Sequence, residues 1–295
     1  MGAVHLALMA LDLASTGPPG TPLNRNKSCS SSQLSIVARR NLNVSTGRTW
    51  CSCLRSPAPQ QLMPFARSAC KNYSIKIAAK SLTTRLQAEI SSMIDLDQTG
   101  FLKGRSISED FVYAMELVQV CHKRKVPTIV LKLDFAKAFD TVNWEALMTI
   151  LSARGFSPLW CRWVLDLLAS SKSAVLVNGC PGPWIECRRG LRQGDPMSPY
   201  LFLLVADVLQ TLIKTDGGVR HPILEDGNCA VLQYADDTLI VYRGEVADVV
   251  RLKLLLDQFA AATGLKINYS KSTATVLPQC IDTLGCREEG FRQTH

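Results

Sequence analysis

Apolar and polar positions fall into two regimes along the chain. Up to about residue 60, stretches such as STGPPGTP, CSSSQLS and RSPAPQQ show no sustained period, which predicts a disordered N-terminal segment over 1–60. From Tyr73 the pattern tightens, with Ile77, Leu82, Leu86, Ile90 and Ile94 at helical spacing. Ser106 or Ser108, followed by Glu109 and Asp110, opens a second helix with Phe111, Met115 and Val118 on its apolar face. TIVLKLDF (128–135) reads as a compact strand, and NWEALMTILSARG as a helix closed by Gly155. LWCRWVLDLLA is a further amphipathic helix, and SAVLVNGCPGPWIEC a hairpin turning at Asn178-Gly179. A helix from Pro199, a hairpin around YADD, a helix over 247–262 ending at Gly264 and a short strand LKIN complete the pattern. Helices and strands mix without a strict alternation, so the fold class is α+β, with 61–295 as the folded domain.

One break in this pattern carries chemistry. The strand-like arms around YADD (Ala230, Val231, Leu232 and Tyr234 before it, Leu239 to Tyr242 after it) enclose two adjacent carboxylates, Asp236 and Asp237. Burying an unpaired carboxylate is costly, so the pair is either a solvated turn or a metal site. Asp134 ends the other strongly apolar strand, IVLKLD. Three carboxylates presented on adjacent strands repel one another unless divalent cations neutralise them, and hard oxygen ligands suit Mg2+. Two such ions about 4 Å apart can activate an attacking hydroxyl and stabilise a leaving pyrophosphate. Phosphoryl transfer needs little beyond such positioning and charge.

Composition narrows the classes without choosing among them. At 295 residues and 47% hydrophobic, the chain can bury a substantial core. Of its 33 Lys and Arg, 11 fall in residues 1–88 beside a single acid, Asp12, so the formal charge of +8 belongs to the N-terminal third and is weak evidence for nucleic-acid binding. Residues 21–56, poor in acid and rich in Ser and Arg, fit an organellar transit peptide less well than plain disorder. The 11 cysteines form no zinc pattern with His5, His122, His221 or His295 and read as reduced thiols of an intracellular protein, nuclear or cytoplasmic. The longest apolar stretch, YLFLLVADVLQTLI, is interrupted by Asp207 and Gln210, so no membrane span is expected.

LKLDFAKAFDTVNW (131–144), RRGLRQGDPMSPYLF (188–202), LQYADDTLIV (232–241) and GLKINYSKS (264–272), in this order, resemble the palm motifs of reverse transcriptases of non-LTR, LINE-type retrotransposons, in a variant abundant in plant genomes. QTGFLKGRSISEDF (98–111) is similar to the fingers motif that precedes them. The resemblance covers about 72–290. It implies the fingers and palm of a right-hand polymerase, with an antiparallel palm sheet flanked by helices, adding dNTPs to a DNA primer on an RNA template. Two Mg2+ ions, for which Mn2+ can substitute, would be held by Asp134, Asp236 and the Phe135 carbonyl, with Asp237 beside them. Lys271 would be the general acid for pyrophosphate, and Phe139 the ring that excludes a ribose 2′-OH. Gln193 and Gly194 would line the nucleotide, Lys103 and Arg105 would reach the triphosphate, and Arg192 and Tyr234 would meet template or primer. No specific protein partner follows.

Departures from the family pattern shape a second expectation. FARSACKNYSIKI (65–77) stands where the family opens its fingers with an RPISL-like run, and the text ends at CIDTLGCREEGFRQTH where a YLGLPL-like primer grip would follow. The expectation is a fragment lacking endonuclease, primer grip and thumb, and so weak in primer–template affinity. A catalytically silent remnant, at most a nucleic-acid-binding protein, is the alternative. A metal-dependent nuclease or phosphatase using the same carboxylates would leave Phe139 and RQGDP without a purpose.

Overall fold

The computed structural model describes residues 73–277, apart from 175, 178 and 179. The N-terminal segment and the expected domain boundary at 60/61 lie outside the described residues, as does the turn Asn178-Gly179. The chain divides into two units, one containing Ser91–Ala138 and everything from Leu203, the other Phe139–Phe202 with the helix that precedes Ser91.

A four-stranded antiparallel sheet organises the first unit. Strands β1 (Thr128–Leu133), β6 (Ala230–Tyr234), β7 (Asp237–Arg243) and β8 (Thr273–Val276) lie in the order β6-β7-β1-β8. β1 is central and pairs from Thr128 opposite Arg243 to Leu133 opposite Thr238. Alternation along it sends Val130 and Lys132 to one face and Ile129 and Leu133 to the other. The first face is covered by helix α2 (Ile107–Arg124), where Leu117 and Cys121 pack on Ala230, Val241 and Val130. Near the second face, helix α7 (Val246–Thr263) sets Phe259 against Phe135, ring centroids 6.0 Å apart.

Two expectations change here. Ser106 caps α2 as anticipated, but the helix buries Ala114, Leu117 and Cys121, while Phe111 and Met115 face solvent. Small side chains at 114 and 121 let the helix approach the sheet closely, which Phe or Met on that line would prevent. LKIN forms only an isolated bridge, Phe135 to Ile267, and the strand beside β1 is instead β8, whose four residues are polar or small enough to hide from a periodicity argument.

Helix α6 (Ser198–Asp216) is buried on all sides from Leu201 to Gln210, as a helix without a polar face must be. Among the described residues no helix is long and apolar enough to cross a membrane. A single turn, α3 (Ala138–Thr141), precedes α4 (Trp144–Ala153) and α5 (Pro158–Ala169), which start at the caps Asn143 and Ser157. The short strands β2 (Lys172–Ser173), β3 (Leu176–Val177), β4 (Cys180–Pro181) and β5 (Ile185–Glu186) of the second unit pair as β2 with β5 and β3 with β4. Helix α1 (Tyr73–Met93) buries Leu82, Leu86 and Ile90 and leaves Ile77 exposed.

The loop between α6 and β6 is pinned by charge and by a neutral imidazole. Arg220 forms a fork onto Asp248, whose side chain is fully buried in the first turn of α7 (2.6 and 3.2 Å). His221 Nδ1 accepts from the amides of Ile223 and Leu224 (3.1 and 3.0 Å), which places the ring proton on Nε2, 3.4 Å from the Tyr113 hydroxyl. Burial lowers the His221 pKa. The unfolded chain therefore takes up this proton first as pH falls, and the neutral ring's contribution to stability is present above about pH 6.5 and lost below it. His221→Asn supplies one acceptor for the same two amides without a titrating ring. Its melting temperature should fall less steeply than wild type between pH 6.5 and 5; identical slopes in thermal melts would contradict the assignment.

Candidate active site

The β6–β7 hairpin closes with two residues between Tyr234 and Asp237. Ala235, the first of them, is buried with φ 56°, a left-handed conformation that an alanine adopts only at a cost. Asp236 follows, and both it and Asp237 reach solvent. The β1–β7 ladder ends with Leu133 opposite Thr238. One further step of the same register sets Asp134 opposite Asp237, so the three carboxylates share one end of the sheet.

The backbone of Asp134 is tied to the turn carrying Lys271. Asp134 N donates to Ser272 Oγ (3.1 Å) and its carbonyl accepts from Asn268 N (2.8 Å). The bridge between Phe135 and Ile267 extends this clasp, with Ala136 N donating to Lys266 O at 2.8 Å. Lys271 itself is exposed on that turn. A cation absent from the expected set, Lys132, sits one alternation before Asp134 and pairs with Asp237 at 3.7 Å. An exposed pair of this length contributes little to stability, yet its charge lies beside the acids.

The electrostatics are those of an under-neutralised cluster. The Asp236 carboxyl is pushed above the usual carboxylate range, first by loss of hydration and then by repulsion from Asp237 and Asp134. Among the described residues no three His, Cys, Asp or Glu side chains are arranged to hold a metal ion. The acids are thus neighbours that feel one another without converging on one point. Their donor chemistry, three carboxylates and nearby backbone carbonyls, fits a hard divalent cation.

The other expected residues separate into groups. Tyr234 is exposed at the mouth of the hairpin, with its ring centroid 6.5 Å from that of Phe101. Lys103 is exposed, but Arg105 is committed elsewhere: it donates to the carbonyls of Ser91 (2.8 Å), Ile94 (3.0 Å), Gln98 (2.7 Å) and Asp95, the chain leaving α1. Phe139, Arg192, Gln193 and Gly194 belong to the second unit. There Phe139 stacks on Phe202 (4.8 Å, 17°), and Leu191 N donates to the Phe139 carbonyl, so RQGDP follows directly from a segment clasped to Phe139. Gly190 makes the clasp possible, since a Cβ there would lie 2.6 Å from the Asp140 carbonyl oxygen. Gln193 and Gly194 are exposed, whereas Arg192 is buried, donates to Ser171 and Ser170 hydroxyls, and is pushed down to about 10 by that burial. The Arg105 and Arg192 geometries speak for tying the backbone together rather than for a free cation facing phosphate.

The family model for "Reverse transcriptase (RNA-dependent DNA polymerase)" matches residues 66–287. The chain belongs to the reverse transcriptase family. Divalent metal ions serve that family generally. The chain is 29% identical over 201 residues to the "Transposon TX1 uncharacterized 149 kDa protein" of Xenopus laevis, covering 67% of this chain and 15% of that protein. It is 32% identical over 146 residues to a "Retrovirus-related Pol polyprotein from type-1 retrotransposable element R2" of Popillia japonica, covering 49% of this chain and 20% of that one. The chain therefore spans a fifth or less of these relatives. Its fold is similar to that of telomerase from Candida tropicalis, with a TM-score of 0.51 at 11% identity, covering 67% of this chain and 33% of that one. This reverse transcriptase domain thus has the mixed helix and antiparallel-sheet architecture expected of a polymerase palm.

Sequence reasoning missed one side-chain contact, that of Lys132, and the backbone role of Arg105. Lys132 could have been found from the alternation in LKLD, because it shares a face with Asp134. The role of Arg105 had no such signal, as its partners are main-chain carbonyls. Arg105→Ala should lower the unfolding free energy by about 2 kcal/mol, since several charge-assisted bonds are lost at once. Denaturant melts test this, and an unchanged midpoint would return Arg105 to the list of ligand contacts.

Proposed function

We propose that this domain is an RNA-directed DNA polymerase, extending a DNA primer on an RNA template with dNTPs. The observation that carries the reading is the opposition of Asp134 to the Asp236–Asp237 turn across the β1–β7 ladder, in a chain of the reverse transcriptase family. Asp134, Asp236 and Asp237, with the Phe135 carbonyl, would hold two Mg2+ ions, which supply a lowered pKa for the primer 3′-hydroxyl and charge stabilisation for the departing pyrophosphate. Ionised carboxylates are needed for that, and a bound cation would counter both the loss of hydration and the repulsion from Asp237 and Asp134 that raise the Asp236 pKa. Lys271, exposed on the turn clasped to Asp134, would give its Nζ proton to the leaving pyrophosphate. Lys103 offers a free cation for the triphosphate, a duty its neighbour Arg105 does not share.

Discrimination and template contact fall to aromatic groups. The Phe139 ring, held by Phe202 behind it, is the wall against a 2′-hydroxyl. Tyr234, with Phe101 beside it, presents a face on which a primer or template base can stack. Gln193 and Gly194, exposed beyond the Gly190 clasp, line the nucleotide. The buried thiols Cys121 and Cys229, the latter pushed up to about 12, are inert packing groups suited to a reducing interior, nuclear or cytoplasmic.

Primer extension on an RNA template with Mg2+ and dNTPs tests the reading. Extension should be present in the wild type and undetectable in Asp134→Asn and Asp236→Ala, both folded by circular dichroism. Full activity in either variant would contradict it, and no extension by the folded wild type would favour a catalytically silent remnant. Phe139→Val should admit ribonucleotides, and an unchanged dNTP to rNTP ratio would remove Phe139 from the gate.

A further inference from the structure

The acid turn is gripped by a side chain that takes no part in the ladder. Ala235 is 4% exposed, and its N–H and C=O both point away from the strand pairing, so each needs a partner. Gln98, 0% exposed, provides both: its Oε1 accepts from Ala235 N at 2.9 Å and its Nε2 donates to Ala235 O at 3.3 Å. The same Oε1 accepts from Gly100 N at 3.0 Å, which fixes the amide's own orientation. Flanking main-chain bonds hold the carrier segment in place: Thr99 N to Gln233 O (2.9 Å) and Gln233 N to Asp97 O (2.8 Å), around a parallel bridge of Gln98 with Gln233. Thr99 Oγ1 also donates to Asp110 Oδ2 on α2 (2.8 Å). Gly100 is required by the closeness of approach, since a Cβ there would stand 2.4 Å from Ala235 N.

A left-handed alanine is disfavoured by roughly 1–2 kcal/mol and persists only where its surroundings over-determine it. Here the over-determination has one source that reaches both backbone groups of the strained residue. Peptide planes on either side of Ala235 are thereby set, and the second of them begins Asp236.

We infer that Gln98 is a positioning residue for the acid turn: its carboxamide locks Ala235 left-handed and so sets where Asp236 and Asp237 project. This rests on the reading of those aspartates as cation ligands. Side chains that orient ligands from behind typically change metal affinity by about 10- to 100-fold when removed. The amide is needed in both its parts, because the turn asks for one acceptor and one donor on the same group. Glutamate keeps the acceptor and adds a repelling charge near the acids; methionine keeps the shape and loses both.

Two readouts on the full chain decide the matter: residue-level hydrogen exchange at the Ala235 amide, and Mn2+ affinity from water-proton relaxation. Gln98→Met should speed exchange at Ala235 about tenfold, the loss of one hydrogen bond, and weaken Mn2+ binding at least about tenfold. Gln98→Glu, which keeps the acceptor, should retain protection at the Ala235 amide. Thr263→Val removes a buried hydroxyl that bonds Phe259 O (2.8 Å) and Leu265 N (3.2 Å) at the far end of α7, and serves as the control for general loosening. It should change neither readout. Wild-type exchange at Ala235 in Gln98→Met, or equal changes in the Thr263 variant, would overturn the inference. A wild type that binds no Mn2+ would remove the ligand reading, whereas exchange at Ala235 alone still decides whether Gln98 grips the turn.

Discussion

The pairing of β1 with β7 is the constraint on which the site depends. Six residue pairs run from Thr128 with Arg243 to Leu133 with Thr238, and their continuation brings Asp134 against the hairpin that carries Asp236 and Asp237. Side chains alternate with period two, so a slip of one residue would send Asp134 to the opposite face and bury Lys132 where Leu133 now packs. Apolar burial enforces the register. Ile129 and Leu133 on one face, and Val130 and Val241 against α2 on the other, have no second arrangement that keeps them from water. The chemistry at the strand end is thus held by hydrophobic pairing several residues away.

The acids themselves work against the fold. Loss of hydration, and after it repulsion from Asp237 and Asp134, raises the Asp236 pKa, and Lys132 offers only an exposed, long pair in compensation. The strain is local and backbone-deep as well, since Ala235 sits left-handed at the centre of the turn. Such costs collect where function fixes the geometry, and the rest of the sheet supplies the stability to carry them. A divalent cation bound as proposed would offset the electrostatic part, and Gln98 meets both backbone groups of the strained residue.

Much of this was legible from the text of the chain. The arms of YADD and the apolar run ending at Asp134 announced two strands with acids at their ends, because alternation and β-branching are local properties. The cap at Ser106 and the Gly264 terminus are equally local. What escaped notice depends on partners far away in sequence. Gln98 meets Ala235 across 137 positions, and Arg105 spends its charge on carbonyls that no side-chain pattern advertises. The face that α2 buries was misread because Phe111 and Met115 look like core residues, while the sheet accepted the smaller Ala114 and Cys121. β8 carries little signal because Thr273 to Val276 is only four residues long and mostly exposed, so its Thr/Ala/Thr/Val alternation marks no buried face.

In the proposed mechanism two segments remote in sequence, around Asp134 and around Asp236, ligate the same cation. Replacing that cation with Fe2+ in the presence of ascorbate and peroxide generates hydroxyl radicals at the site, and the backbone is cut near the ligands. Two sets of fragments should appear, with ends near residue 134 and near residues 235–237, both suppressed together by excess Mg2+. Cutting at one segment without the other, or cuts that Mg2+ fails to suppress, would contradict it.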